Sequence, residues 1–450
     1  MKKPVLFLTV CAMLVTMLAG CGGQQPSGNP SQTPPASSTP SGSATPDAEK
    51  NITIRVAWWG NQLRNDITVG ALNLYTENNP NVTFETEFSD WNGYWEKMAT
   101  QAAAGSLPDI IQQDYSYYKQ YQAKNQLVNL KTYADSGVLN LSDVSESIIN
   151  SGIVDGGLYA LCLGINAPSM LYDKEAAAKA GVEIKNGMTR EEVIAAAKKI
   201  YDATGMQYDY GYNDGPNQIE YIIRGQGKAL FLDGKLGIDS ATEVIPFFKM
   251  FEDGIASGVH LSAEDSNAAI GVGIEQDPLV LGKEWMSLAY SNQLAAFNNA
   301  AGKEYGIVTW PVGSNDTAKA MYLKPSQFFS VTSTSKNQEE AAKVLDFFTN
   351  SVEANEILLA ERGVPISSKV AEAIKPLMNA SNMQIFDYIA EIEPLTSTIN
   401  PPSPQGMGEV IALINSLVEQ VCYKQITAEK AADLFFTQAG EILAKAAASN

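Results

Sequence analysis

Histidine is nearly absent from this chain: His260 is the sole one among 450 residues. That inventory argues against a His-dependent catalytic triad, and it leaves no Cys/His cluster to hold zinc. Cysteine is scarce as well, limited to Cys11, Cys21, Cys162 and Cys422, with no CxxC pair. There is no GxSxG, HExxH or P-loop motif. Positive charge is short: 31 Lys and Arg face 50 Asp and Glu, a net charge of −19. A nucleic-acid partner needs a basic surface, so that class is excluded. Beyond the extreme N-terminus no apolar run is long enough to cross a bilayer.

What is present begins with an address. Lys2 and Lys3 precede an apolar run from Val5 to Leu18, which Leu18-Ala19-Gly20-Cys21 closes. The run is too short to favour a stable span, and its flanks suit a secretory signal with small residues at the cleavage position. The tetrad matches the bacterial lipobox, which predicts removal of residues 1–20 and lipidation of Cys21. From Gly22 to Lys50 the chain is almost entirely Gly, Ser, Pro, Thr, Gln, Asn and Ala. Such a segment cannot bury enough apolar surface to offset its ordering entropy, and it reads as a flexible linker reaching roughly 30 Å. The expected location is extracytoplasmic, lipid-anchored to the cell membrane, with the lipid as the only anchor. Cys11 leaves with the signal, so Cys162 and Cys422 remain in the fold, as one disulfide or as two buried thiols.

The 400 residues after position 50 exceed what one hydrophobic core usually serves, so two lobes are predicted. Asn51 to Ala57 alternates apolar and polar residues as a strand does, ending at Trp58-Trp59-Gly60. A helix from Ile67 to Asn78 stops at Asn79-Pro80, and Asn81 to Glu87 reads as a second strand. A helix from Tyr94 to Ala104 ends at Gly105, before a short buried strand at Pro108-Asp109-Ile110-Ile111. Strands alternating with helices predict βαβ units and a mainly parallel sheet. Further on, Thr189 and Glu192 have capping-box spacing for a helix over 191–202, and 339–349 and 428–447 read as strong helices.

By its motifs the chain from Asn51 onward resembles the extracellular solute-binding proteins of sugar ABC transporters, the maltose-binding-like family 1. The likeness rests on Trp58-Trp59-Gly60 with Asn79-Pro80-Asn81-Val82, and on Trp91 through Tyr94 to Ala104-Gly105-Ser106-Leu107-Pro108-Asp109. Gly157-Leu158-Tyr159-Ala160, Leu171-Tyr172-Asp173-Lys174, Thr189-Arg190-Glu191-Glu192, Ser335 to Ala342 and Arg362-Gly363-Val364-Pro365 follow in the family's order. The resemblance implies an α/β, two-lobed periplasmic-binding-protein-like fold with a ligand cleft between lobes. It implies an N-terminal lobe of 51–165 plus 309–350 and a C-terminal lobe of 166–308 plus 351–450. It also implies a monomer that takes a carbohydrate ligand without any cofactor or metal and works with ABC transporter permease subunits.

Sugars offer apolar C–H faces and many hydroxyls, so a site for them needs flat aromatic rings and fixed polar groups. In open α/β sheets ligands bind beyond the carboxyl ends of the strands. After the first strand the candidates are Trp59, favoured over Trp58 as the cleft-facing ring, and Arg64. After the second they are Asp90 and Trp91, and after the third Asp114, Tyr115 and Tyr117. By the resemblance, Asn166 faces the cleft at the first crossing, Tyr290 and Asn292 lie in a ligand-contacting turn, and Trp310 forms a stacking platform. Gln327 is placed to donate to a hydroxyl, and Arg64, Arg224 and Lys324 are the cations available to an acidic ligand. Two other readings compete with a sugar receptor: a secreted carbohydrate-active enzyme using paired carboxylates, and a receptor for a peptide or polyamine. The identity, length and linkage of the sugar are not encoded legibly.

Overall fold

A computed structural model describes residues 51–60, 62–210, 215–269 and 273–448, with the side chain of Asn92 excepted. The signal segment, the lipidation at Cys21 and the linker lie outside the described residues.

The first sheet is built from β1 (Ile52–Trp59), β2 (Val82–Ser89), β3 (Ile110–Gln113), β4 (Leu161–Asn166) and, much later in the chain, a strand over Lys324–Val331. β1 pairs in parallel with β2 along its whole length and with β3 on its other side. Between these strands run α1 (Gln62–Asn78) and α2 (Trp91–Ala103). Pro80 cannot continue α1, and α2 starts where the Asp90 carboxylate accepts the Gly93 N–H at 2.8 Å. These are the βαβ units expected from the alternation. The 324–331 strand, however, runs antiparallel to both β3 and β4.

The second sheet departs further from a parallel arrangement. Only Ala167 separates β4 from β5 (Pro168–Asp173), which leaves the first sheet and enters the second. There β5 lies between β6 (Met286–Tyr290) and β7 (Tyr305–Val308), antiparallel to both. The chain returns to the first sheet at β8 (Lys324–Val331). The expectation of a mainly parallel sheet therefore holds for three strands and fails for the second sheet.

Helices clothe each sheet. α3 (Arg190–Thr204) opens with the capping box read from Thr189 and Glu192, both of its hydrogen bonds formed. α4 (Gly215–Gly225), α5 (Ile245–Ser257), α10 (Met407–Cys422) and α11 (Ala428–Ala448) bury their apolar faces in one core, while α6 (Leu294–Ala301), α7 (Gln338–Asn350), α8 (Val352–Leu358) and α9 (Ala380–Ile392) bury theirs in the other. The first core contains Trp58, Ile110, Phe328 and Phe329 and reaches Leu171, Ala289 and Tyr305 of the second sheet, where α6 and α9 pack on β7; the second contains Tyr210, Phe247, Phe251 and Phe435. The boundary at 351 implied by the family likeness does not follow this packing. α8 packs against α1 and α7, and Leu358, Val364, Val370 and Ile374 are buried in the first core. A backbone bridge between Ile165 and Val364 adds to this, so 352–374 goes with the first sheet. Cys162 and Cys422 are buried in different cores and are not joined.

Candidate functional site

A cavity of about 740 Å³ is lined from both sheets. The first sheet contributes Trp59 at the end of β1, Asp114 and Tyr115 just past β3, Asn166 at the end of β4, and Lys324 to Gln327 from β8. The second sheet side contributes Tyr290 at the end of β6 and Asn292 just past it, and α4 contributes Glu220 and Arg224. The segment Asn400-Pro401-Pro402-Ser403 forms a further wall.

β1 sends Trp58 and Trp59 to opposite faces, as a strand must. Trp58 is fully buried and its indole N–H donates to Asn65 Oδ1 at 2.9 Å. Trp59 is half-buried and lines the cavity. Its ring is braced by Trp91 at 4.9 Å, Tyr94 at 5.3 Å and Trp95 at 5.6 Å between centroids. Gly60 then lets Arg64 fold back, since a Cβ there would stand 2.5 Å from the Arg64 Cδ. Arg64 Nε donates to Glu361 at 2.8 Å and Nη1 to the Trp59 carbonyl at 3.3 Å.

Past β3, Asp114 Oδ1 accepts the Ser116 N–H at 2.8 Å in an Asx turn, which leaves Oδ2 without a partner among the described residues. Asp114 is thus a fixed, charged acceptor at the cavity wall. Tyr115 donates its hydroxyl to the Asn400 carbonyl at 2.7 Å. Burial pushes the Tyr115 phenol well above its ordinary pKa, so it stays a neutral donor.

The cavity carries four cations and three carboxylates, a slight positive balance inside a chain of net charge −19. Three of the cations are committed within the protein. Arg224 gives Nε to Ala320 O at 2.9 Å, Nη1 to Thr398 O and Asn400 Oδ1, and Nη2 to Ser397 Oγ at 2.6 Å. Arg362 donates to Gln112 Oε1 at 2.6 Å and Thr68 Oγ1 at 2.9 Å. Full burial, with Arg64 adding like charge, pushes the Arg362 guanidinium down to about 9. Arg64 holds Glu361, as above. Lys324 differs: it is exposed, and its ammonium lies 4.4 Å above the Tyr290 ring, reaching from the first sheet to the second. Glu220 accepts from Asn400 Nδ2, and burial raises its pKa.

Of the twelve residues singled out by the sequence, eight line this cavity: Trp59, Arg64, Asp114, Tyr115, Asn166, Tyr290, Asn292 and Gln327. Among the described residues the buried Asn166 Oδ1 has no partner, whereas Gln327 has spent its Nε2 on the Arg362 carbonyl at 3.1 Å. Four lie elsewhere. Trp310 is 1% exposed, a core ring whose indole N–H is shared between the Ser169 and Ala289 carbonyls, and it backs Tyr290 at 5.9 Å. That enclosure leaves no face for the stacking role expected of it. Asp90 caps α2, Tyr117 stacks on Trp95 at 4.1 Å, and Trp91 sits outside the cavity against Trp59. Glu220, Tyr322, Glu361 and Phe386 also line the cavity, without being marked by any strand-end motif. Glu220 and Arg224 do share one helix face at i,i+4 spacing, a signal that was there to be read.

Two α/β lobes enclosing a cleft lined by rings and fixed polar groups define a solute-binding protein of the periplasmic type. Residues 71–384 match the model for bacterial extracellular solute-binding proteins, and the chain belongs to that family. A family 1 extracellular solute-binding protein from Alicyclobacillus acidocaldarius superposes with a TM-score of 0.80 at 27% identity, covering 88% of this chain and all of that one. An oligogalacturonide-binding protein from Yersinia enterocolitica superposes with a TM-score of 0.74 at 19% identity, over 88% of this chain and 100% of its own. A protein named as a binding protein in Brucella abortus is 26% identical over 282 residues, 60% of this chain and 65% of its own length. The chain thus spans less than two thirds of that relative. Among the described residues no helix is long and apolar enough to cross a membrane.

Proposed function

We propose that this chain is a lipid-anchored extracytoplasmic receptor that captures a mono- or oligosaccharide by hinge closure and delivers it to an ABC transporter permease. The observation that carries this reading is the cavity itself. The Trp59 ring, the Asp114 carboxylate and the orphaned Asn166 Oδ1 offer one face, one charged acceptor and one unmet hydrogen bond, which is what a sugar ring with hydroxyls satisfies. A solute touching both sheets at once favours the closed arrangement by the contacts it makes only there. The link through Ala167 and the later return at β8 supply the crossings about which closure would occur. The sugar bound by the Yersinia relative, and the lipobox ending at Cys21, support the same reading.

A thermal-shift panel of neutral and acidic mono- and oligosaccharides tests it. A ligand at a hundred times its Kd should stabilise the protein by about 2.7 kcal/mol, a shift of several degrees. Shifts with peptides or polyamines alone, or release of new reducing ends from any sugar, would overturn sugar capture. Metabolic labelling with palmitate, lost in Cys21→Ala, tests the anchor separately.

A further inference from the structure

Trp91 is one of the four candidate residues that lie outside the cavity, and the one that is a large exposed ring. It is 40% exposed, an unusual cost for so large an apolar ring, and it opens α2 directly after the Asp90 cap. Its indole is held from three sides by Trp59 at 4.9 Å, Trp95 at 5.6 Å and Tyr117 at 6.0 Å, all edge-on or nearly so. A ring fixed in this way has little rotamer freedom left to lose when something stacks on it.

Trp59 belongs to both settings. It lines the cavity, and it touches Trp91 outside. The aromatic surface therefore continues out of the cavity from Trp59 to Trp91, but it turns there, because the two rings meet edge to face at 82°. Beside them, Asp90 Oδ1 is spent on the Gly93 N–H, while Oδ2 has no partner among the described residues. A platform and a charged acceptor outside the cavity repeat the pairing of Trp59 with Asp114 inside it.

Building on the sugar-capture reading, we propose that the binding site continues out of the cavity over Trp91, with Asp90 as hydroxyl acceptor. The solute is then an oligosaccharide long enough to leave the cavity, with its outer units on this platform. A protein surface is a poorer occupant, because the exposed ring is continuous with the solute cavity through Trp59.

Calorimetric titration of the purified protein, of Trp91→Ala and of Trp91→Phe tests this. The probes are malto-, cello-, xylo- and galacturono-oligosaccharides, each from disaccharide to hexasaccharide. In the series that binds, wild-type affinity should rise with length and then gain a further step of about three- to tenfold once the chain reaches Trp91. Trp91→Ala should abolish that last step and change disaccharide affinity far less, and Trp91→Phe should restore part of it. Equal weakening at every length, or none at any, would overturn the proposal and leave sugar capture standing. Failure of every series to bind wild type would overturn sugar capture, and this proposal with it.

Discussion

The hydroxyl of Tyr115 donates to the backbone carbonyl of Asn400 at 2.7 Å, and this bond joins the two sides of the cleft. Tyr115 follows β3 of the first sheet, whereas the Asn400 side chain is held by Glu220 and Arg224 on α4, which packs in the second core. One neutral hydrogen bond thus ties the end of β3 to a segment that α4 holds in place.

Removing that tie should weaken closure more than folding. A typical net hydrogen bond contributes about 0.5–1.5 kcal/mol, so Tyr115→Phe should lower solute affinity by about two- to tenfold. The ring keeps its packing beside Tyr118 and Phe328, so the melting temperature should move little. Titration beside a thermal melt checks this. Unchanged affinity would mean that the bond persists in the open state and has no part in closure.

Trp59 and Trp310 should separate binding from stability. Trp310→Ala empties a core site and strands the Ser169 and Ala289 carbonyls, a cost of about 3–5 kcal/mol in a denaturant titration. Trp59→Ala and Asp114→Ala should each weaken solute binding by more than about tenfold, or 1.4 kcal/mol. The melting temperature of Asp114→Ala should stay within a few degrees, since among the described residues the side chain's one hydrogen bond is from Ser116 N. Trp59→Ala should lose somewhat more, because three rings lean on it.

That contrast marks how far the sequence could be read. The alternation in β1, the stop at Pro80 and the capping box at Thr189 are local signals, and each matches a local element. The strand-end rule brought Trp59, Asp114 and Tyr115 to one cavity because β1 and β3 are parallel neighbours. The antiparallel second sheet was not legible, because Pro168 pairs with Tyr290 across more than a hundred residues and nothing local encodes that register. Nor was the role of Arg224, whose acceptors are mostly backbone carbonyls near 320 and 398, groups without a sequence signature. Trp310 and Trp59 look alike in sequence, and only tertiary packing makes one a core ring.

Both thiols of the folded part should be inert in the native protein. Burial pushes Cys162 up to about 12, and its Sγ donates to the Gly164 carbonyl at 3.1 Å. Cys422 is 4% exposed in the other core. The thiolate is the reactive form, so a maleimide should label neither residue until denaturant is added, after which peptide mapping should find both modified without prior reduction. Labelling only after reduction would instead reveal a disulfide.

Glu284 should set part of the pH dependence of stability. It is 3% exposed with Oε1 unpartnered among the described residues, and burial, reinforced by the carboxylates of Asp209 and Asp277, raises its pKa well above the ordinary 4.5. In the unfolded chain the group returns to its ordinary value. Between the two values the folded state binds the proton more tightly, so stability falls as pH rises through that window. Its contribution is most favourable below the unfolded pKa, and the full cost of the buried charge is reached above the folded one. Glu284→Gln removes the titration while keeping the shape. Its melting temperature should fall less steeply than that of wild type as pH rises from about 4.5, and at alkaline pH the variant should be the more stable of the two. Scanning calorimetry across that range measures both slopes, and parallel curves would place the source in another carboxyl group.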